Sequence, residues 1–221
     1  FRRFGPGAKL ALVNGRRGEW LREMETVGKK QASVTRLHQR RGQTRCRPLE
    51  LVVAPSKKAQ MDFLIQKSVE LGVTTLHPVI TERTQGDRIN TDRLTAQTIE
   101  AAEQCERLDI PELRQICKLE AFLDVWPADK PLFVCAEAGA ATPLIGALTA
   151  QNSADPGASG HGLMTGPEGG FSSQELVILH ERPFVTLVGL GPRILRAETA
   201  ALAALTLWQA IIGDMGQRPP H

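Results

Sequence analysis

Two glycine-rich loops in the last third of the sequence have the composition of ligand-binding segments. The first, GPEGG at residues 166–170, follows the apolar run GLMT and precedes FSS. The second, LGPRIL at residues 190–195, follows the apolar run FVTLVG. Glycine has no Cβ, so it lets backbone amides come close to a ligand, and amides ahead of a helix favour polar or anionic groups. The pattern predicts contacts made mainly by backbone groups.

Neither loop is a common nucleotide-binding motif. The first lacks the Lys-Ser/Thr pair of a P-loop, and the second lacks the third glycine of a dinucleotide fingerprint and contains Pro192. Each loop taken alone favours a structural turn over a ligand site. Because each follows a predicted strand, the two together favour one shared cleft at the carboxyl edge of a sheet.

The order of apolar runs predicts the elements that carry these loops. From residue 49 onward, the expected strands are LELVVA, TLHPVI, PLFVCAE, GLMTG and FVTLVGL. The expected helices are one that buries Met61, Leu64, Ile65, Ser68 and Val69 and ends at Gly72, one over 91–108 with Asn90 as N-cap, and an apolar one over 197–212. Strands alternating with helices predict an α/β fold with a parallel sheet covered on both faces.

The first 47 residues differ in both pattern and charge. Short apolar alternations broken by Gly and Asn turns (KLALVNG, EWLREMETVG, ASVTRLHQ) predict antiparallel strands of a small barrel or sandwich. This head contains 13 Lys and Arg against 3 Asp and Glu, whereas the remainder contains 14 against 21. The asymmetry favours contact with a polyanion, and the alternative is a solvated basic surface.

Composition limits which metal sites and cellular locations we expect for this protein. The four cysteines form no CxxC pair and no Cys/His ligand spacing, which indicates reduced thiols and no metal site. No apolar run is long enough to span a bilayer, and the first residues do not resemble a signal peptide. We therefore expect a cytoplasmic protein without membrane association.

The two loops belong to a wider resemblance. GPEGGFSSQEL and LGPRILRAETAAL closely resemble the two C-terminal motifs of the SPOUT methyltransferases, and within them the RsmE type, which methylates N3 of a uridine in 16S ribosomal RNA. KKAQMDFLIQKSVELGV, PVITERTQ and IEAAEQCERLDIPEL are also similar to that family's pattern. The resemblance covers residues 49–212. Over residues 1–47 only FGPGAKLALVNGRRGEWL matches, and Ala8 stands where the family usually has an acidic residue.

The resemblance implies a fold and a cofactor. The fold would be a SPOUT-type parallel sheet with a C-terminal trefoil knot over residues 48–221, preceded over residues 1–47 by a small PUA-like β-barrel that binds RNA and lacks the family's opening strands. The cofactor would be S-adenosylmethionine (SAM), and the protein would be a homodimer. The residues implied to hold the cofactor are Glu137, Gly166, Glu168, Gly169, Gly170, Leu190, Gly191, Ile194, Leu195 and Thr199. Glu168 is expected to accept hydrogen bonds from the amides of its own loop more than to contact SAM. Thr199 is expected to cap the last helix.

Methylation at N3 of uracil has two requirements. N3 lies on the Watson–Crick edge, so the base must be unpaired, and N3 carries a proton that must be removed. Arg196 could stabilise charge on a uracil carbonyl, and Glu198 could either accept the proton or serve the helix dipole. No metal is required, because the donor already has a good leaving group.

The implied partner is 16S ribosomal RNA or the small ribosomal subunit. The residues expected to contact RNA are Arg2, Arg3, Arg16, Arg17, Arg83, Glu103, Gln104 and Arg107. For the face that carries Glu103 and Arg107, a solvated i,i+4 ion pair and contact with the partner subunit stay open as alternatives. Two alternative functions also stay open: a related knotted methyltransferase acting on tRNA or another ribosomal RNA site, and a non-catalytic RNA-binding assembly factor.

Overall fold

The computed structural model describes residues 5–28, 31–85, 89–136, 141–155 and 160–218. The chain divides into two units. The first consists of Phe1–Arg45 with Ala102–Ile110, and the second of Cys46–Ala101 with Pro111–His221. The domain limits expected from the sequence, 1–47 and 48–221, stay a prediction.

The first unit contains a three-stranded antiparallel sheet. Strand β1 spans Lys9–Val13, β2 spans Glu19–Val27 and β3 spans Ala32–Arg41, with β2 in the middle. The carboxylate of Glu19 is 8% exposed and pairs with Arg40 at 2.7 Å and with Arg41. The antiparallel strands predicted from the alternating pattern are confirmed, whereas closure into a PUA-like barrel stays a prediction.

The second unit is built on an eight-stranded sheet. In chain order its strands are β4 (Leu49–Val53), β5 (Thr75–Ile80), β6 (Glu112–Leu113), β7 (Cys117–Lys118), β8 (Leu132–Cys135), β9 (Thr142–Pro143), β10 (His161–Thr165) and β11 (Val185–Gly189). The spatial order is β6-β5-β4-β10-β8-β11-β9, and β7 also pairs with β5. Every one of these pairings is parallel.

Helices cover the sheet on both faces. They are α1 (Lys58–Glu70), α2 (Thr91–Gln104), α3 (Leu119–Val125), α4 (Leu144–Ala154), α5 (Ser173–His180) and α6 (Ala197–Ile211). Residues of α1, α4 and α6 form one hydrophobic cluster with the sheet, and residues of α3 and α5 form a second cluster. The predicted α/β fold, with a parallel sheet between two helical layers, is confirmed. No described helix is long and apolar enough to cross a membrane.

Helix α1 has the buried face and the end that the sequence predicted. The five expected residues, Met61 to Val69, are buried, and the Ser68 hydroxyl is satisfied by donating to the Leu64 carbonyl. The helix ends before Gly72, which has a φ of +80°. A Cβ at this glycine would lie 2.3 Å from the Gln209 side-chain nitrogen, which would have to shift, and the positive φ itself favours glycine here.

Helix α2 is shorter than predicted. Asn90 caps it as expected, since its side-chain oxygen accepts from the backbone N–H of Arg93 at 2.9 Å. The helix ends at Gln104 and not at residue 108. Glu106 has a φ of +57°, which a right-handed helix cannot accommodate, and the Arg107 amide donates back to the Ala102 carbonyl.

A charged network joins strand β4, in the middle of the sheet, to strand β5 and to Lys130. Glu50 on β4 binds the ring of His77 on β5 and the ammonium of Lys130, whose nitrogen lies 5.2 Å from the ring centroid of Trp126. Burial alone would raise the pKa of Glu50, but the hydrogen bonds from His77 and Lys130 and the positive charge of Lys130 outweigh it and lower the pKa to about 2.

This network predicts a pH-dependent stability contribution. Glu50 has a lower pKa folded than unfolded, so its contribution is fully present above about pH 4.5 and is lost as the pH falls toward 2. We expect Glu50→Gln to lower the free energy of unfolding by about 3 kcal/mol at pH 7. Urea unfolding measured from pH 7 to pH 3 should show this difference shrinking. A difference between the two proteins that is constant with pH would contradict the assignment.

Candidate functional site

The two glycine loops leave the sheet at the same edge. Strand β8 lies between β10 and β11, and Cys135 at the end of β8 is in register with both Thr165 and Val188. Neighbouring strands are about 5 Å apart, so the ends of β10 and β11 lie roughly 10 Å from each other. The segments that follow β8, β10 and β11 therefore begin side by side. Glu137, the first of the expected cofactor-binding residues, lies outside the described residues.

The first glycine loop is tight and partly exposed. A Cβ at Gly166 would lie 3.0 Å from the ring of Phe171, so a larger residue would displace that ring. Gly170 has a φ of +68°, and its amide donates to the Pro167 carbonyl at 2.9 Å. Glu168, Gly169 and Gly170 are exposed. The expected role of Glu168 in satisfying the loop amides is wrong, because its side chain forms no hydrogen bond within the described residues.

The second loop presents both backbone and apolar side chains. Gly191 has a φ of +103° and is exposed, Leu190 and Leu195 are half-buried, and Ile194 is 86% exposed. An isoleucine with that much of its surface in contact with water is an available apolar contact.

Arg196 and Glu198 begin the last helix beside this loop. Arg196 occupies the N-cap position of α6 without a side-chain cap hydrogen bond, and Glu198 lies in the first turn. Neither side chain forms an ion pair in the described part of the chain, so both are available to a ligand. The prediction that Thr199 caps the helix is wrong, since α6 begins two residues earlier and no side chain caps it.

Two side chains outside the first glycine loop, Arg83 and Glu175, hold the loop and the residues that follow it. Arg83, in the segment after β5, donates to the Gly169 carbonyl at 2.8 Å. The buried carboxylate of Glu175 accepts from the amide of Glu82 at 2.8 Å and from that of Ser172 at 2.9 Å. The Ser172 hydroxyl accepts in turn from the Glu175 amide, which completes a capping box at the start of α5. Arg83, expected to bind RNA, is thus also a support of the glycine loop.

Sequence reasoning missed Glu175, although a signal was present. The pattern Ser-x-x-Glu at residues 172–175 is the signature of a capping box. The second acceptor contact, to Glu82, joins residues 93 positions apart and has no local signal.

The thiol at this edge is not a nucleophile. Burial raises the pKa of Cys135 to about 12, so the group stays protonated at neutral pH. Within the described residues, no group of three or more His, Cys, Asp or Glu side chains could hold a metal ion.

The residues expected to contact RNA are distributed over both units. Arg16 and Arg17 are exposed between β1 and β2, and both backbone amides donate to the Asn14 side chain, at 3.1 and 3.0 Å. Arg2 and Arg3 lie outside the described residues.

The expected polar face of α2 is only partly present. Glu103 and Gln104 are exposed at its end. Arg107 lies beyond the helix, is 8% exposed and pairs with Asp109 at 3.1 Å. The alternative of an i,i+4 ion pair between Glu103 and Arg107 is therefore wrong, because α2 ends before Arg107.

The two hydrogen bonds that the Glu175 carboxylate accepts have a testable consequence for stability. We expect Glu175→Gln to lower the free energy of unfolding by about 1–3 kcal/mol, because an amide can supply only one acceptor oxygen for two N–H groups, and that of Ser172 is buried. Glu181→Gln is a matched control, since Glu181 is exposed and forms no side-chain hydrogen bond among the described residues. Denaturant unfolding of both variants measures the difference. Equal stability of the two would show that Glu175 does not hold the loop.

Comparison with known proteins places this geometry in a family. A family model described as an RNA methyltransferase domain matches residues 43–209. A Rickettsia conorii protein named ribosomal RNA small subunit methyltransferase E is 31% identical over 196 residues, which cover 89% of this chain and 78% of the relative. The matches to three further relatives with that name span only 54%, 64% and 65% of the relatives' own lengths.

Solved structures agree with the sequence matches. A Legionella pneumophila protein, solved with bound SAM, is 32% identical with a TM-score of 0.81, and the match covers 96% of this chain and 86% of that one. A Neisseria gonorrhoeae ribosomal RNA small subunit methyltransferase E, solved with S-adenosyl methionine, is 30% identical with a TM-score of 0.82, and the match covers 95% and 86%. The resemblance inferred from the two loop motifs is confirmed: the chain belongs to the RNA methyltransferase domain family and, within it, to the ribosomal RNA small subunit methyltransferase E group.

Proposed function

We propose that this chain is a SAM-dependent methyltransferase that methylates N3 of a uridine in 16S ribosomal RNA. One observation carries the proposal: the two glycine loops of the family's motifs begin at one edge of the sheet, on either side of β8. The names of the relatives and the SAM bound in two similar structures support the substrate and the cofactor. With this substrate, we propose a cytoplasmic location.

The residues at this edge fit a bound SAM. Gly169, Gly170 and Gly191 expose backbone that can approach a ligand closely, and the last two have the positive φ that glycine tolerates best. Leu190, Ile194 and Leu195 offer apolar surface for a planar base. Gly166, Glu168, Thr199 and Glu137 complete the proposed binding set. When bound, SAM would supply a methyl group attached to a positively charged sulfur, and this sulfur would be the leaving group, as a neutral thioether.

Arg196 and Glu198 supply the chemistry that N3 of uracil requires. Glu198 accepts the N3 proton, which leaves an electron pair on N3 to form the new bond to the methyl carbon. Arg196 donates to a uracil carbonyl oxygen, where part of the negative charge resides. The alternative role of Glu198 is electrostatic, since a carboxylate in the first turn of α6 also stabilises the helix dipole.

The proposed fold includes a trefoil knot and a PUA-like head. The crossing order of the strands supports the knot, since β10 lies between β4 and β8 although it follows both in the chain. The basic charge of the head supports a role in RNA binding. Its exposed Arg36 stacks 3.5 Å from the ring centroid of Trp20, and Arg22 lies opposite Arg36 on the neighbouring strand. With Arg2, Arg3, Arg16 and Arg17, these side chains are suited to phosphates.

We also propose a homodimer with α6 in the interface. Trp208 is fully buried within the single chain, so it does not need a second one. Three apolar residues of α6 remain only half-buried, namely Leu202 and also Leu207 and Ile211, which pack against the cluster that contains Trp208. A second copy would cover them, and light scattering that gives the mass of a single chain for the active protein would refute this.

Mass spectrometry of 16S ribosomal RNA tests the proposed function. RNA from cells that lack this protein should have lost one 3-methyluridine, and the purified protein with SAM should restore it on the small subunit. Loss of a methyl group from tRNA, or from another ribosomal RNA site, would assign a different substrate. No change in any RNA would reject the enzymatic function.

Replacement of Arg196 should separate catalysis from donor binding. Arg196→Ala should reduce methyl transfer at saturating SAM by about 10²–10³-fold, because one donor to the developing charge is lost. SAM affinity measured by calorimetry should change little. The side chain makes no cap hydrogen bond, so its loss should leave α6 intact.

Arg193→Ala is the matched control for this replacement. Arg193 is exposed in the same loop and forms no ion pair within the described residues. We expect near-normal turnover from this control. Normal turnover of Arg196→Ala with collapsed SAM binding would contradict the role given to Arg196.

A further inference from the structure

A basic cavity lies beside the two glycine loops that we propose bind SAM, on the same edge of the sheet. Its volume is about 270 Å³, and its lining is Pro55, Ser56, Lys58, Met61, Ile89, Asn90 and Arg93. Pro55 and Ser56 follow β4 after Ala54, and Val53 at the end of β4 is in register with Thr165 at the end of β10. The cavity is therefore lined by the segment next to the one that carries Gly166–Gly170, about one strand spacing away.

The charges in and under this cavity do not balance. Asp62 is the common partner of two cations: Lys58, at 2.9 Å, and Arg93. Burial of Asp62 would raise its pKa, but its contacts with Arg93 and Lys58 outweigh burial and lower it, so the carboxylate stays ionised. Two cations against one anion leave one excess positive charge.

The geometry of this trio also orients the cations. Arg93 has five N–H donors, of which Asp62 uses only part, and its side chain is 31% exposed. A guanidinium held by a carboxylate on one side presents its remaining N–H groups in a fixed direction.

The other polar groups of the cavity are also donors. The Asn90 side-chain oxygen is used by the Arg93 amide, which leaves the Asn90 NH₂ group for a ligand. The Ser56 hydroxyl has no hydrogen-bond partner in the described part of the chain. Helix α1, whose first residue lines the cavity, starts without a side-chain cap. A site of donors with excess positive charge over an apolar floor of Met61 and Pro55 fits an anion with several oxygens.

We propose that this cavity, through Lys58 and Arg93, binds a backbone phosphate of the substrate RNA and so positions the target nucleotide for the donor site. This inference rests on the proposed function. In it, Lys58 and Arg93 of the second unit contact the RNA independently of the basic head. The segment after β4 lies next to the one after β10, so it is placed to meet a phosphate that flanks a base in the cleft at β10. Free inorganic phosphate has the same chemistry, so the experiment must separate the two sources.

Salt-dependent RNA affinity tests the site. The variants are Lys58→Gln and Arg93→Gln, and the control is Arg182→Gln. Arg182 is matched to Arg93, since its side chain is 33% exposed and pairs with Asp124 at 2.7 Å, but it precedes β11 at the opposite edge of the sheet. We expect each cavity variant to weaken binding of a 16S RNA fragment about tenfold, and the slope of log affinity against log salt to fall by about 0.7–0.9. The control should keep the wild-type slope.

Steady-state kinetics and competition separate the remaining outcomes. The cavity variants should raise KM for RNA with kcat and SAM affinity near wild type, and Arg93→Lys should recover part of the loss. Inorganic phosphate up to millimolar concentration should not compete with RNA, and competition that is abolished by Arg93→Gln would assign a free-phosphate site instead. Slopes equal to the control in both cavity variants, with normal methyl transfer by the wild type, would overturn this inference alone. Absence of RNA binding by the wild type would overturn the proposed function together with it.

Discussion

The parallel register of the central sheet is the constraint on which the rest of this structure depends. Parallel pairing points every strand the same way, so every segment that follows a strand begins at one edge. Such a sheet must be buried on both faces, and the two hydrophobic clusters meet that requirement. The glycine loops, Arg196 and the cavity at Lys58 all follow strands at this carboxyl edge, where we propose that the chemistry takes place.

Loops at such an edge need supports, because glycine-rich backbone has many accessible conformations. Glu175 and Arg83 provide them for the first loop, one through two backbone amides and the other through the Gly169 carbonyl. The Glu82 amide bound by Glu175 and the Arg83 side chain both belong to the segment that follows β5, so loop geometry is coupled to the packing of the sheet. Among the described residues no side chain forms a hydrogen bond to the second loop, and Ile194 is exposed, which fits a wall completed by a ligand or by a second chain.

The sequence predicted the features that depend on local pattern. The buried face of α1, its end before Gly72, the Asn90 cap and the five long strands follow from periodicity and capping chemistry. The early end of α2 could not be predicted, since Glu106 adopts a positive φ that nothing in its own residue type requires. The Glu50–His77–Lys130 network joins residues 27 and 80 positions apart, and only the fold brings them together. For the site, the motifs located both loops, whereas the contacts of Arg83, Glu175 and Arg93 depend on tertiary structure.

If both glycine loops form one SAM site, bound SAM protects the backbone amides of both, and amide hydrogen exchange with and without SAM measures this protection. We expect slower exchange on SAM addition in residues 166–170 and in residues 190–195 together, with residues 16–28 of the head unchanged. The unchanged head would serve as the internal reference, since it takes no part in the proposed donor site. Protection of only one loop, or protection confined to the head, would show that the two loops do not form one SAM site.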